Sequence, residues 1–435
     1  MDNLNEFMQP TNAPSGKTIP VAMPVGIQNQ LPIGKVNYSN LDINTKPYRA
    51  VVSLARTAGA FQDIQEAINH VNKNFAGGGI LIRKGRYVLS KNITLYNNIF
   101  LLGEDSLNSI IDFGQGTNQV EIGTVSNVSV ENLTIQDAWG TTGAIYVANS
   151  SNIRIRNNSF SGNTGTSGSG ADVFLDQVVS ESEAIDVSYN KTQGCGNFLR
   201  ITLGARSNSY SFNIVDLPLA EAFEAVDFGV GVPGNFLGNT VFSPIKAAFS
   251  GLFNSARLVD NTVAFSGTYA TNNYAFDLTS TSRSNIIIGN RVSAATGGGI
   301  RITSGSYNDI GNNVFDSLDL PPVQLQNSFF TQINGNYLSN TSGTNPVIYM
   351  GTSSNTVITG NTLINKQAGA DGALLLASSS NVITGNYIKD GGSGTAYCVR
   401  IGTNSNNNAI VGNRLEFTTG SVLDGGSANV SASNA

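Results

Sequence analysis

The sequence predicts an all-β fold, a parallel β-helix, and three observations carry that prediction. Asn occurs 54 times, more often than all charged residues together (24 + 29), and Gly adds 48 among 435 residues. Both residue types disfavour helix interiors and suit turns. The dipeptide Gly-Asn, once Asp-Asn, recurs at Asn239, Asn261, Asn290, Asn312, Asn336, Asn361, Asn386 and Asn413, at intervals of 22, 29, 22, 24, 25, 25 and 27 residues. An apolar residue stands two positions after each Asn, from Val241 and Val314 to Leu415, and three positions before each except where Asp309 precedes Asn312. Two short strands meeting at a bend centred on Asn explain this spacing. Asn tolerates the left-handed conformation of a bend, and its amide can bond the Asn one turn above. Fainter copies place Asn132, Asn157, Asn190 and Asn213 in the same series. A propeller blade would need roughly 40 residues or more, and the Leu-x-x-Leu-x-Leu frame of leucine-rich repeats is absent.

Taken in order, residues 1–58 read as an extended arm that docks a partner. Half of the twelve prolines fall in the first 47 residues, with no sustained periodicity. The first ten residues lack the basic and apolar stretches of a standard secretory signal. Phe61, Ile64, Ala67, Ile68, Val71 and Phe75 then form a helical stripe, which predicts a capping helix over 61–75 with His70 exposed and Gly77, Gly78 and Gly79 stopping it. Strand-like runs follow, and the solenoid is expected over 59–425, with 426–435 a short tail. Insertions such as Thr164–Gly170 map to loops on one side. Cys195 and Cys398 lie about eight coils apart, about 38 Å at the usual strand spacing, so they are expected to be buried free thiols.

The helix with Phe61, Ile64 and Ile68, then Gly78-Gly79-Ile80-Leu81-Ile82, Gly85-Arg86-Tyr87 and Ile93-Thr94-Leu95, resembles the opening of the pectate-lyase-like right-handed β-helix family. Phage tailspikes and polysaccharide-cleaving enzymes share that opening; Lys84-Gly85 stands here where the family usually has Pro-Gly. The resemblance spans about residues 59–425. It implies a right-handed, single-stranded solenoid and, for a tailspike, a homotrimer in the virion tail.

Each coil should hold a third strand about ten residues upstream of the Asn bend, with its middle residue outward. The expected outward column is Tyr146, Phe174, Arg200, Asp227, Ala248, Asp277, Arg301, Gln324, Tyr349, Leu375 and Arg400. Nine of the 29 acids fall between Asp172 and Asp227. Glycosidases need a proton donor and a second carboxylate about 5 to 9.5 Å apart, which makes Asp172, Asp176, Glu224 and Asp227 the catalytic candidates. Tyr146, Phe174, Arg200, Trp139, Asp277 and Arg301 are the substrate-binding candidates, through ring stacking and charge-assisted hydrogen bonds. The alternative is that these acids are solvated or sit at a subunit contact.

The same sequence narrows the function classes. A net charge of −5 with no basic run argues against nucleic acid. No run of 18 apolar residues argues against a transmembrane helix. A single histidine leaves no His cluster for a metal and no Gly-His-Gly of the polygalacturonase kind, so neither metal nor cofactor is expected. The Arg-x-Pro-x-x-Arg motif of pectate lyases is also missing. The expected function is a tailspike or tail-fibre-like virion protein. Its arm docks other tail proteins, and its solenoid binds, and in one version depolymerises, a bacterial surface polysaccharide. A stand-alone lyase, hydrolase or epimerase and a purely structural spike are the alternatives. Outward Leu375 and Tyr349 support the expectation of a homotrimer.

Overall fold

A computed structural model describes residues 48–435, apart from 56–57, 141, 165–169, 177–183, 203–207, 227–230, 266–272, 280, 295–296, 342–344, 367–368, 391–395 and 418. Most of the predicted arm, 1–47, thus lies outside the described residues. The described chain winds into three parallel sheets: a sixteen-stranded sheet A and two fourteen-stranded sheets, B and C. Each coil visits A, then B, then C. One C-terminal coil, for example, passes from Gln332–Asn334 through Tyr337–Asn340 to Ile348–Gly351. Strands this short suffice because every one pairs with the coil before and the coil after, and alternation sends one face of each inward. Ile333, Ile358, Ile383 and Ile410 stack from sheet A against Leu338, Leu363 and Ile388 from sheet B, all fully buried.

The corner between A and B explains the repeat, with a shift of one residue. The left-handed position belongs to the residue before the inward Asn: Gly238, Asp260, Gly289, Asn312, Gly335, Gly360, Gly385 and Gly412, with φ between 52° and 71°. At Gly335 a Cβ would also lie 2.6 Å from Asn312 Oδ1. The Asn that follows points inward and joins a ladder. Asn361 Nδ2, for example, donates to Asn386 Oδ1 at 2.9 Å and to Ile333 O at 2.8 Å. The rungs are Asn158, Asn190, Asn213, Asn239, Asn261, Asn290, Asn313, Asn336, Asn361, Asn386, Asn413 and Asn434. Asn313 therefore replaces Asn312, Asn158 replaces Asn157, and Leu133 holds the place assigned to Asn132, donating its backbone N–H to Asn158 Oδ1. With Asn313 as the rung, the flanks become Ile310 and Phe315, both fully buried, and the Asp309 exception disappears.

Two further ladders, which Gly-Asn spacing does not announce, line the corner between C and A. One runs through Asn381, Asn408 and Asn429, the other through Ser328, Ser353, Ser378 and Ser405.

The ends extend past the sequence-based bounds. Tyr48–Val52 pairs in parallel with Gly78–Ile82, so the solenoid begins before residue 59. At the other end Val430–Ala432 pairs with Ala409–Val411, and Asn429 and Asn434 close two ladders, so 426–435 is the last coil rather than a tail. The capping helix, α1 (Ile64–Phe75), opens at Asp63, whose carboxylate accepts the Glu66 N–H at 2.8 Å. Ala76, left-handed with φ 51°, closes it before the glycines. Ile64, Ala67, Ile68 and Val71 cover the core, whereas Phe75 at the end of the stripe is 46% exposed under the Arg49 guanidinium. His70 is exposed.

Candidate functional site

Strand pairing fixes the outward column of sheet C as Tyr146, Phe174, Arg200, Glu224, Ser250, Asp277, Arg301, Gln324, Tyr349, Leu374 and Arg400. Eight of the expected members hold their places. Glu224, Ser250 and Leu374 replace Asp227, Ala248 and Leu375. The physical reason is an ambiguous frame: Phe223-Glu-Ala and Val226-Asp-Phe both read apolar–acid–apolar, and Leu374, Leu375 and Leu376 are identical in kind. Ala248 and Leu375 are fully buried, and Asp227 lies outside the described residues.

Three arginines mark the column, each beside an aromatic ring and paired with a carboxylate. Arg200 lies 5.4 Å over Phe174 and 3.0 Å from Glu224, which also accepts from Asn197 Nδ2 at 3.1 Å. Arg301 lies 5.0 Å over Tyr274 and grips Asp277 with two donors, at 2.8 and 2.5 Å. Arg400 lies 5.0 Å over Tyr397 and grips Asp371 likewise, at 2.6 and 3.1 Å. A ring face lies against each guanidinium, and bidentate pairing fixes those of Arg301 and Arg400, whereas Arg200 meets its carboxylate through Nε alone.

At the middle unit the surface is concave. A cleft of about 390 Å³ is lined by Tyr274, Arg301, Leu320, Pro321, Gln324, Gln326, Asn345 and Tyr349. Leu320, Pro321 and Asn345 come from the connections between sheets B and C, which stand beside the column as a wall. Tyr274 is almost wholly buried, donates its hydroxyl to Gln324 Oε1, and has its pKa raised by burial. The result is a small apolar wall facing a set of amides, two phenols and one guanidinium, which suits a hydroxyl-bearing ligand.

Residues 275–435 match the family described as the right-handed beta helix region. Together with three continuous parallel sheets, that match decides the architecture. This chain is a right-handed parallel β-helix. No curated protein sequence matches it. Among solved structures, it is similar to two mutants of the tailspike protein of E. coli bacteriophage HK620, each in complex with a pentasaccharide. Both are 13% identical, with TM-scores of 0.52 and 0.53, covering 87% and 85% of this chain and 78% of theirs. The A-module of the mannuronan C-5 epimerase AlgE6 of Azotobacter vinelandii also matches, at 15% identity and a TM-score of 0.40, over 85% of this chain and 94% of that one. At these identities the likeness concerns the fold.

Within the β-helix the remaining candidates separate. Asp172 is not on the outward face. It lies at the B–C corner, level with the buried Ala144 and Phe198, and is fully buried. Asn163 Nδ2 donates to its Oδ1 at 2.8 Å, Thr192 and Cys195 also face the carboxylate, and burial outweighs these groups and pushes its carboxyl up to about 7. Alternation fails there because the chain turns a corner. Asp176 accepts from the Tyr146 hydroxyl at 2.8 Å and from Thr202 Oγ1 at 2.9 Å. Burial, together with Asp176, pushes the Tyr146 phenol up to about 12. Tyr146 also meets Phe174 edge-on at 5.7 Å. Glu224 has its pKa raised by burial, with the Arg200 guanidinium opposing. Trp139 sits half-buried in a B–C connection, with its indole N–H on Gly162 O at 3.2 Å. Tyr274, Leu320, Pro321, Gln326 and Asn345 are cleft residues that the sequence does not single out. Tyr274 falls three positions before an outward acid, where alternation alone says nothing. Among the described residues no three His, Cys, Asp or Glu side chains gather, no helix is long and apolar enough to cross a membrane, and Cys195 and Cys398 are free and buried.

Proposed function

We propose that this β-helix is a tailspike-type virion protein that binds a bacterial surface polysaccharide along sheet C, anchored at the cleft around Arg301. The cleft carries the reading: an apolar wall, two tyrosines and convergent amides, aligned with a column that continues above and below it. The fold likeness to a tailspike captured with a pentasaccharide supports it. In this reading the N-terminal arm docks other tail proteins and the working unit is a homotrimer. Calorimetric titration with polysaccharide from the host tests it. Tyr349→Ala and Gln324→Ala should each weaken binding about tenfold or more, with melting unchanged. Wild-type protein that binds no host glycan leaves a structural spike.

One observation favours cleavage as a second reading. Burial raises the pKa of outward Glu224, against the Arg200 guanidinium, in the direction a proton donor requires. Asp277 stands two coils away, roughly 10 Å at the usual strand spacing, near the separation of an inverting pair. Glu224→Gln should then abolish release of reducing ends while leaving binding intact. Activity that survives Glu224→Gln removes this assignment.

A further inference from the structure

The charges on sheet C say more about the ligand than the cleft shape does. Arg200, Arg301 and Arg400 each have a carboxylate beside them: Glu224, Asp277 and Asp371. Lys246, near the first of these units, is paired with Glu221 at 3.5 Å. At the cleft the compensation is bidentate, as it is at Arg400. Arg301 gives both Nε and Nη2 to Asp277, whose side chain is only 15% exposed. The other polar groups lining the cleft are amides and phenols, which neither carry nor demand charge. A carboxylate or phosphate brought here would meet Asp277 and Glu224 on the same column and would have to compete for a guanidinium already held by two hydrogen bonds.

We infer that the cleft takes a neutral glycan and discriminates against acidic ones, with Asp277 as the residue that sets this specificity by neutralising Arg301. The inference rests on the glycan-binding reading above and narrows its substrate class. Neutral hydroxyls need only donors and acceptors of moderate strength, which Gln324, Gln326 and Asn345 provide. Repulsion of acidic chains does the rest.

The test is an array of bacterial surface polysaccharides with neutral and with acidic repeat units, read with wild type and with Asp277→Asn at about 50 and 500 mM NaCl, since added salt screens exposed charge. Wild type should bind neutral members only, with affinity changing less than about twofold across that range. Asp277→Asn should gain binding to acidic members at low salt, lost again at high salt. Wild type that prefers acidic members, with affinity falling about tenfold or more as salt rises, overturns neutral selection and leaves glycan binding standing. Wild type that binds no member removes glycan binding and the inference together. Asp277→Asn that melts like wild type yet gains nothing overturns the role of Asp277.

Discussion

Asn361 makes five hydrogen bonds with one side chain. Its Nδ2 donates to Ile333 O, Thr359 O and Asn386 Oδ1, and its Oδ1 accepts from the backbone N–H and Nδ2 of Asn336. An Asn361→Asp variant loses the three donor contacts and sets a buried charge against three oxygens. It should cost about 3–5 kcal/mol, seen as a lower Tm at pH 7 that partly recovers on acidification. Asp172 is a native instance of the same problem. Burial holds its carboxyl near 7, above the ordinary 3.8, so the folded protein binds its proton more tightly than the unfolded chain does. Stability contributed this way is complete below pH ~4 and is lost as pH rises towards ~7, by about 1.4 kcal/mol per unit at most. Asp172→Asn should flatten that slope in denaturant titrations between pH 4.5 and 8. A slope unchanged by the substitution would place the titration elsewhere. Residue identity alone does not reveal this role. Asp172 stands two positions from outward Phe174, and an unbroken alternation would put it outside.

At the scale of the element, the strands of sheet C work because glycines make room for rings. A Cβ on Gly298 would lie 2.3 Å from Tyr274 Cε1, and one on Gly420 would lie 2.6 Å from Tyr397 Cε1. Tyr274 thus lies flat across the next coil and beneath Arg301. Gly298→Ala should push the ring off, open the cleft and abolish glycan binding while circular dichroism still reports full β content. Binding retained at wild-type affinity would mean that the ring is not part of the site. The outward column was legible where apolar residues flank a lone polar or aromatic one, as at Ile300-Arg301-Ile302. It was not legible at Leu374-Leu375-Leu376, where neighbouring residues are alike and only pairing with Tyr349 and Met350 fixes the frame. The same ambiguity moved the ladder by one at Asn312-Asn313.

For the whole molecule, the repeat period was readable because each coil contacts little beyond its two neighbours, so its sequence rules are local. The cleft was less readable, since Leu320, Pro321 and Asn345 arrive from connections whose lengths vary from coil to coil. Assembly is the question at this scale. Leu375, one reason to expect a homotrimer, is fully buried, and Tyr349, the other, lines the cleft. If the trimer forms through other surfaces, light scattering of the full chain at micromolar concentration should give three times its 45.7 kDa mass. A single-chain mass would favour the stand-alone enzyme.

The ladder, finally, has a polarity. From Asn158 to Asn413 every rung hands a hydrogen of its amide to the coil that follows and offers its oxygen to the coil before. Asn381, Asn408 and Asn429 repeat the order at another corner. Amide dipoles aligned head to tail reinforce one another, as peptide units do along an α-helix. Along the axis the ladder therefore contributes a dipole with its negative end towards the first coils and its positive end towards the last, offset in part where the second Nδ2 hydrogen returns to a carbonyl of the coil before.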